Sequence, residues 1–368
     1  MAIRLETVAK TLERLAPREL QAPWDNSGLQ VGSKTWCANR VLLALDITPS
    51  VLDYALAKDY NLVISHHPLM FKAPKHIDPE TALGKCISLA LSEKIGIYSL
   101  HTNLDVVTDG VSEQLARELD VSVTGVLEPT GKLYKLAVFV PEDYLEQVRE
   151  ALGAAGAGHI GNYSHCTFTS PGTGTFMPHS GSSPFIGAVG KLETVREQRL
   201  EAVVTSHRLH SVLAAMIDAH PYEEVAHDVY PLENRGVVGF GRIGDLSVPR
   251  TLSTFAKECI ARLNCSGIRV AGSLDKELRR AAVCGGSGGD FWRQALALGA
   301  DVYVSGDISH HEALDAAAAG MAIIDVGHYQ SERLILDFLQ NHLLQEYPEN
   351  LVCDCYPVDT DPFKIVAR

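Results

Sequence analysis

The sequence predicts an α/β protein: a split, pseudo-symmetric α/β domain interrupted by a ferredoxin-like α+β domain. Three observations predict this fold class. Strand and helix patterns alternate in residues 1–130, the segment 281–305 repeats the plan of 41–65, and residues 131–237 follow a βαββαβ order of their own. Alternating strands and helices imply a mostly parallel sheet covered on both faces, whereas βαββαβ is the order of a ferredoxin-like sandwich.

The first segment opens with an amphipathic helix, because Leu5, Val8, Leu12 and Leu15 share one face and Pro17 ends the pattern. The charged residues between them argue against a signal peptide. Short apolar runs and helical patterns then alternate along the segment. They predict strand 41–45, helix 49–58, strand 62–65, helix 81–93, strand 97–100 and a helix that carries Val111, Leu115 and Leu119.

Residues 131–237 are predicted to form an inserted domain. Pro141 suits the first position of a helix, because its ring fixes φ and it lacks an N–H. The predicted elements are strand 133–140, a helix from Pro141 that carries Leu145, Val148 and Leu152, strands 163–169, 173–176 and 202–205, a helix that carries Leu209, Val212, Leu213 and Met216, and strand 225–232. The split α/β domain then comprises residues 1–130 and 238–368.

The repeat appears when 41–65 and 281–305 are aligned without gaps. Ala55-Leu56-Ala57 falls on Ala295-Leu296-Ala297, and Ser65 falls on Ser305. The alternative is that any two strand–helix–strand units look alike. If the repeat is genuine, one sheet built from two related halves places its strand ends around a shared crevice.

Charge and composition exclude several classes of protein. The 368 residues carry a formal net charge of −13, which argues against a dedicated nucleic-acid surface and against binding to anionic membranes. The apolar runs are strand-sized, so no membrane span is predicted. The eight cysteines form no CxxC pair, and Cys353 and Cys355 fit alternate residues of a terminal strand. A reducing cytoplasm is therefore expected.

Acidic and imidazole side chains follow three strand-like runs, which read LVISHHP, YSLHTNLD and AIIDVGHYQSE. His66 and His67 come directly after one run, and Pro68 helps to end that strand. Asp105 follows another run. His328 and Glu332 are four residues apart, which places both on one face of a helix. Each feature alone is an ordinary surface pattern; together they predict a metal site, and we call these five residues the ligand cluster.

Five nitrogen and oxygen ligands are too many for one structural zinc and fit a pair of divalent ions. The adjacent imidazoles of His66 and His67 suit two neighbouring ions, and the two oxygens of Glu332 can bridge them. This ligand mixture suits Zn, Mn, Fe, Co or Ni. Paired ions lower the pKa of a bridging water, which is the chemistry of a metallohydrolase.

Other motifs give further candidates. Residues 239–244 match GxGxxG but open no helix, so a glycine-rich strand is predicted instead of a dinucleotide-binding turn. The loop 284–289, with Gly286 and Ser287, either cradles a phosphate or makes a tight turn. His101 is a candidate for contact with the ligands or with the substrate. Asp307, His310 and His311 either form a third metal cluster or contact the substrate, and the alternative is that the two histidines only flank the first turn of a helix. No GxSxG elbow supports a serine nucleophile, so no catalytic residue is assigned.

Several motifs together resemble the GTP cyclohydrolase 1 type 2 homologue family, also called the NIF-three-like family. The resemblance runs in order along nearly the whole chain. The motifs are WDNSGLQVG (24–32), SHHPLMFK (65–72), HTNLD (101–105), HPYEEVAHDVYPL (220–232), GFGRIG (239–244), CGGSGG (284–289), SGDISHHEA (305–313) and DVGHYQSE (325–332).

The resemblance implies a dinuclear metal site at the ligand cluster, with Glu332 bridging the ions. It also implies a toroidal homohexamer and a PII/CutA-like identity for the insert. The paired metal ligands and the glycine loop lead us to expect a hydrolase that acts on a nucleotide or another anionic, phosphorylated small molecule. The alternative is a non-catalytic metal-handling or regulatory scaffold.

Overall fold

The computed structural model describes residues 3–161, 163–234, 236 and 238–366. The chain divides into two compact units. Unit 1 comprises Met1–Pro129 and Val238–Arg368, and unit 2 comprises Thr130–Val237. Within the described part of the chain, no helix is both long and apolar enough to cross a membrane.

The N-terminal part of unit 1 follows the predicted alternation closely. The amphipathic first helix buries Leu5, Val8 and Leu12, and the second begins with Pro49 after a Thr48 cap that accepts the Val51 N–H. The elements are α1 (Leu5–Leu15), β1 (Gly28–Val31), β2 (Arg40–Ala44), α2 (Pro49–Ala57), β3 (Leu62–Ser65), α3 (Ala82–Ser92), β4 (Gly96–Ser99), α4 (Thr102–Val106), α5 (Val111–Glu118) and β5 (Val121–Pro129).

Unit 2 has the element order βαββαβ. Its elements are β6 (Leu133–Pro141), α6 (Leu145–Ala154), β7 (Thr167–Phe176), β8 (Glu193–Thr205), α7 (Leu209–Ala219) and β9 (His227–Leu232). The antiparallel sheet has the order β7-β8-β6-β9. Apolar side chains of both helices and three of the strands form its core.

Two local predictions for unit 2 are wrong. Pro141 ends β6 instead of starting a helix, because its backbone is extended (ψ 140°) and it stands opposite Glu197 in the sheet. The two short strands predicted between 163 and 176 are one strand, β7. Pro171 and Gly172 keep their register with β8, and β7 tolerates the proline because it lies at the sheet edge.

The C-terminal part of unit 1 supplies a second α/β half. Its elements are β10 (Gly239–Thr251), α8 (Leu252–Leu263), β11 (Arg269–Ala271), β12 (Glu277–Ser287), α9 (Trp292–Ala297), β13 (Val302–Gly306), α10 (His310–Ala318), β14 (Ala322–Asp325), α11 (His328–Glu332), α12 (Leu334–Glu346) and β15 (Val352–Cys355). The GxGxxG stretch lies inside strand β10, which confirms the rejection of a dinucleotide-binding turn. Cys353 and Cys355 lie on β15, and both are free thiols.

Unit 1 contains two sheets, so the expectation of one shared sheet is wrong. The orders are β1-β4-β3-β2-β15 and β11-β14-β13-β12-β10-β5. Strand β15 pairs with the edge of β2, and β10 pairs with the edge of β12. Because these two edges are occupied, β2 and β12 do not pair with each other. Each sheet nevertheless contains the same four-strand portion, an antiparallel strand followed by three parallel strands, as β1-β4-β3-β2 and β11-β14-β13-β12, which supports the repeat.

Candidate metal centre

The ligand cluster lies where strands of the two sheets end. His66 and His67 follow β3, and their backbone N–H groups still donate to Ala44 and Leu45. Asp105 lies in the short helix α4 after β4, and α11 presents His328 and Glu332 after β14. Three strand ends therefore bring these side chains together.

The other four side chains of the ligand cluster gather around the buried carboxylate of Glu332. Its Oε1 lies 3.5 Å from His66 Nε2, which is also 3.5 Å from Asp105 Oδ1. Its Oε2 lies 3.1 Å from His67 Nε2 and 3.2 Å from His328 Nε2. These two imidazole nitrogens are 3.2 Å apart. The carboxylate thus presents one oxygen to each of two groups of side chains.

Each imidazole of the site is fixed from its far side. The Nδ1 atoms lie 2.8 Å from Leu100 O (His66), Asp46 Oδ1 (His67), Asp25 Oδ1 (His101) and Asp307 Oδ2 (His328). A carbonyl or carboxylate oxygen only accepts, so every Nδ1 donates its proton. In the neutral ring, Nε2 is then left with a free lone pair, which is the tautomer a metal ligand needs.

The electrostatics of the cluster favour an ionised Glu332 carboxylate. Burial opposes the charge of Glu332, but the surrounding imidazoles hold the pKa of this carboxyl well below its usual range. Burial likewise opposes protonation of His67, yet the carboxylates of Asp46 and Glu332 on either side of the ring raise its pKa to about 10. Burial and the Glu332 charge raise the pKa of Asp105. The side chains of the ligand cluster therefore attract positive charge.

The donor atoms fit a divalent cation. His66 Nε2 and Glu332 Oε2 are buried and have no hydrogen-bond partner, which is costly unless another group satisfies them. His67 Nε2, His328 Nε2 and Glu332 Oε2 form a triangle with edges of 3.1–3.2 Å. Ligand atoms bound tetrahedrally at 2.0–2.1 Å are about 3.3 Å apart. These residues can therefore hold a metal ion.

His101 extends the cluster. Its ring centroid lies 5.3 Å from that of His66 and 5.7 Å from that of His67, and a nitrogen of each of the three rings lies within 4.8 Å of the others. His101 precedes Asp105 by four residues, as His328 precedes Glu332. The two halves of unit 1 thus follow their third parallel strand with the same His-x-x-x-acid pattern.

The glycine loop 284–289 lies close to the ligand cluster, but three of its backbone N–H groups already donate to serine hydroxyls of the chain. The N–H groups of Gly285, Gly286 and Gly288 donate to the hydroxyls of Ser112, Ser331 and Ser305, at 3.3, 2.9 and 3.2 Å. These three groups are not free for a phosphate, so the geometry favours the tight-turn alternative. A Cβ at Gly286 would lie 2.2 Å from Glu332 Oε1, and glycine permits this close approach.

The other predicted candidates divide into two groups. Asp307 joins the site through His328. His310 and His311 lie exposed at the start of α10, where their ring centroids are 5.5 Å apart in an edge-on arrangement. Ser287 is exposed opposite Gly306 in the sheet. These three do not belong to the groups of metal-ligating side chains found among the described residues.

Sequence reasoning missed two orienting carboxylates. Asp46 directly follows the buried strand β2, so its position at a strand end was an available signal. Asp25 lies in the loop before β1 and accepts from both His101 and the Thr102 N–H. No periodicity marks Asp25, and only the fold brings it to the site.

Residues 3–362 match the family model described as Duf34/NIF3 (NGG1p interacting factor 3). The chain belongs to the Duf34/NIF3 family. A Halalkalibacterium halodurans relative is 43% identical over 369 residues, 98% of each chain. A Bacillus subtilis relative is 44% identical over 327 residues, 88% of each chain. Both are called GTP cyclohydrolase 1 type 2 homolog, which confirms the resemblance seen in the motifs.

Solved structures of Duf34/NIF3 relatives have the same fold. A Bacillus cereus protein related to NIF3 is 42% identical, with a TM-score of 0.85 and full coverage of both chains. The Staphylococcus aureus protein SA1388 is 28% identical, with a TM-score of 0.78 and 99% coverage of both chains. The α/β architecture with several sheets is therefore shared over the whole length.

A cavity of about 890 Å³ lies within unit 2, between the β7–β8 hairpin and the segment that follows β7. Its walls include the aromatic rings of Phe176, Phe185 and Tyr222 and the charged side chains of Glu197 and Arg199. Among the described residues, the side chains that could hold a metal ion lie in unit 1 and not around this cavity.

Proposed function

We propose that this chain is a dinuclear metal-dependent hydrolase that acts on a nucleotide or another phosphorylated small molecule. The observation that carries the proposal is the division of the Glu332 carboxylate, with Oε1 facing His66 and Oε2 facing His67 and His328. The name of the curated relatives supports a nucleotide as the substrate class.

In this proposal, His66, Asp105 and Glu332 hold one ion, and His67, His328 and Glu332 hold the other. Nitrogen and oxygen donors suit Zn, Mn, Fe, Co or Ni. Bound ions supply positive charge that polarises a phosphoryl or carbonyl oxygen and lowers the pKa of water. The chain itself fixes the imidazole tautomers through its carboxylates and peptide oxygens. In an acidic chain, the ions also provide the local attraction for an anionic substrate.

Three further features complete the proposal. Unit 2 is a ferredoxin-like module of the PII/CutA type, supported by its βαββαβ order and by the strand order β7-β8-β6-β9. The chain assembles as a toroidal homohexamer, as the family resemblance implies, so its mass in solution is six times 39.9 kDa. The eight free thiols support a cytoplasmic location.

Turnover by the metal-loaded protein tests the function. The purified chain is assayed with GTP and a panel of phosphoesters, and His67→Ala is expected to lower kcat/KM by about 100-fold or more, since it removes a proposed ligand. His342→Ala is the matched control. That imidazole stacks on Phe338 in α12 and lies outside the ligand cluster, so the variant is expected to retain activity.

Two results would overturn the hydrolase proposal. Turnover that survives both His67→Ala and removal of the metals would show that the reaction does not use the cluster. Absence of turnover on every substrate, together with tight and reversible metal exchange, would favour the metal-handling scaffold instead.

A further inference from the structure

Two large aromatic side chains stand exposed beside the ligand cluster. Trp24 is 58% exposed and Phe71 is 46% exposed. Their ring centroids are 5.5 Å apart at an interplanar angle of 47°, and each lies 6.1 Å from the His101 ring. The His101 ring in turn lies 5.3 Å from that of His66. The aromatic pair is therefore one ring away from a proposed metal ligand.

The loops that carry the pair are tied to each other. The side-chain amide of Asn26 donates to the Met70 carbonyl at 2.7 Å, and Gln30 Oε1 accepts the Met70 N–H at 3.3 Å. These contacts link the residues next to Trp24 and Phe71. The two chain segments that carry the rings are thus tied to each other by polar contacts.

Trp24 is also linked to the metal centre through its neighbour. Asp25 accepts from His101 Nδ1 at 2.8 Å and from the Thr102 N–H at 3.0 Å. Three consecutive residues therefore have related roles. Trp24 supplies an exposed ring, Asp25 orients the His101 imidazole, and Asn26 binds the loop that carries Phe71. Water-exposed apolar rings are unfavourable unless something covers them, and their position next to polar groups is typical of a ligand site.

We propose that Trp24 and Phe71 form a stacking platform for the planar heterocyclic base of a nucleotide whose phosphates reach the ligand cluster. This inference rests on the proposed function and names its substrate class. A nucleotide carries a flat ring and a phosphate at opposite ends of a sugar, so one molecule can reach both features. Bases stack on tryptophan and phenylalanine faces whatever their hydrogen-bonding pattern.

Binding of GMP to the metal-loaded protein, measured by calorimetry, tests the platform without requiring turnover. Trp24→Ala and Phe71→Ala are each expected to weaken GMP binding by about 10-fold. Both variants should bind ribose 5-phosphate as the wild type does, because that probe has the sugar and the phosphate but no base. Phe168→Ala, which removes a phenyl ring of unit 2 that is 67% exposed, is the control for loss of an exposed aromatic ring.

Fluorescence gives a second readout. Stacking of GMP should quench the emission of Trp24, and Trp24→Phe should keep most of the affinity while losing that quench. Metal content and circular dichroism of each variant show that the site and the fold are intact.

The proposal is overturned if the wild type does not bind GMP, if the alanine variants bind it normally, or if they lose ribose 5-phosphate binding equally. Failure of the hydrolase assay alone would leave stacking measurable. Conversely, normal nucleotide turnover and binding by Trp24→Ala would reject the platform and leave the hydrolase proposal standing.

Discussion

At the scale of single residues, the role of each histidine depends on the acceptor behind it. Asp46 holds His67 and Asp307 holds His328, and both carboxylates come from the strand next to the one that supplies the histidine. Such partners fix the ring and raise its basicity, so they influence metal affinity without touching the ion.

Asp46→Asn is expected to weaken metal binding by about 10- to 100-fold, because the neutral amide is a poorer acceptor for the His67 N–H. Competition titration with a chelator measures the affinity. Asp315→Asn is the control, since Asp315 pairs with Arg293 on the exposed surface. Equal affinity in the two variants would show that Asp46 does not support the ligand.

A histidine of unit 2 has a lowered pKa, whereas the pKa of His67 is raised. Burial lowers the pKa of His220, although its hydrogen bond with the Phe139 carbonyl opposes the shift. Its Nε2 donates to that carbonyl and its Nδ1 accepts the Tyr222 N–H, so the folded chain needs the neutral ring. The unfolded chain binds a proton near the usual pKa of about 6.5. Stability of unit 2 therefore falls as the pH drops through that value.

Hydrogen exchange of β6 and β9 measures this effect. Protection, corrected for intrinsic rates, should fall between about pH 7.5 and about pH 5.5 in the wild type. The decrease should be smaller in His220→Gln, which keeps a side-chain donor but does not titrate in this range. His210→Gln, at an exposed position of α7, should behave as the wild type. An identical pH response in His220→Gln would refute this account.

The sequence indicated the residues of the ligand cluster but not all of the carboxylates that orient its imidazoles. His66, His67 and Glu332 stood out because acids and imidazoles followed buried strand patterns, and that logic depends only on local order. Asp25 acts across the fold on a residue 76 positions away, and sequence periodicity carries no signal of such a contact.

At the scale of elements, six of the parallel strands of unit 1, three from each sheet, end at the site. β2, β3 and β4 lead to Asp46, His66 and Asp105; β12, β13 and β14 lead to Gly286, Asp307 and His328. The repeat explains this arrangement, because each half delivers its strand ends to the same place. The sequence showed the repeat but not the division into two sheets, since pairing partners far apart in the chain leave no local pattern.

Gly286→Ala tests the close approach of β12. Its φ of +67° and the 2.2 Å separation from Glu332 Oε1 mean that a methyl group must displace the carboxylate. Metal content should fall sharply. Gly320→Ala is the matched control, because that glycine also has a positive φ but no atom within 4 Å of the added Cβ.

Both alanine variants should lose about 1 kcal/mol of stability to backbone strain. Only Gly286→Ala should lose metal, as measured by inductively coupled plasma mass spectrometry on the folded protein. Full metal content in Gly286→Ala would mean that β12 does not limit the position of Glu332.

At the scale of the whole molecule, the site joins residues from both ends of the chain. The ligand cluster spans His66 to Glu332, and unit 2 is inserted between the two halves that supply it. An ion bound to the cluster therefore ties the halves of unit 1 together. An ion that binds the folded chain but not the unfolded chain raises the free energy of unfolding by mass action. The increase is about 2.7 kcal/mol at an ion concentration 100 times the Kd.

Removal of metal by a chelator is therefore expected to lower the unfolding midpoint of unit 1. The fluorescence emission of the buried Trp292 reports this unfolding. Added Zn²⁺ or Mn²⁺ should restore the midpoint in the wild type. Glu332→Gln should show no response to either treatment. If the chelator does not change the midpoint of the metal-loaded wild type, metal binding does not stabilise unit 1.

The central proposal is that Glu332 bridges two ions, and metal stoichiometry combined with anomalous diffraction tests it most directly. The proposal predicts two ions per chain, with one anomalous peak beside each oxygen of the Glu332 carboxylate, and loss of the peak beside Oε2 in His328→Ala. A single ion per chain, or peaks that lie away from Glu332, would contradict it.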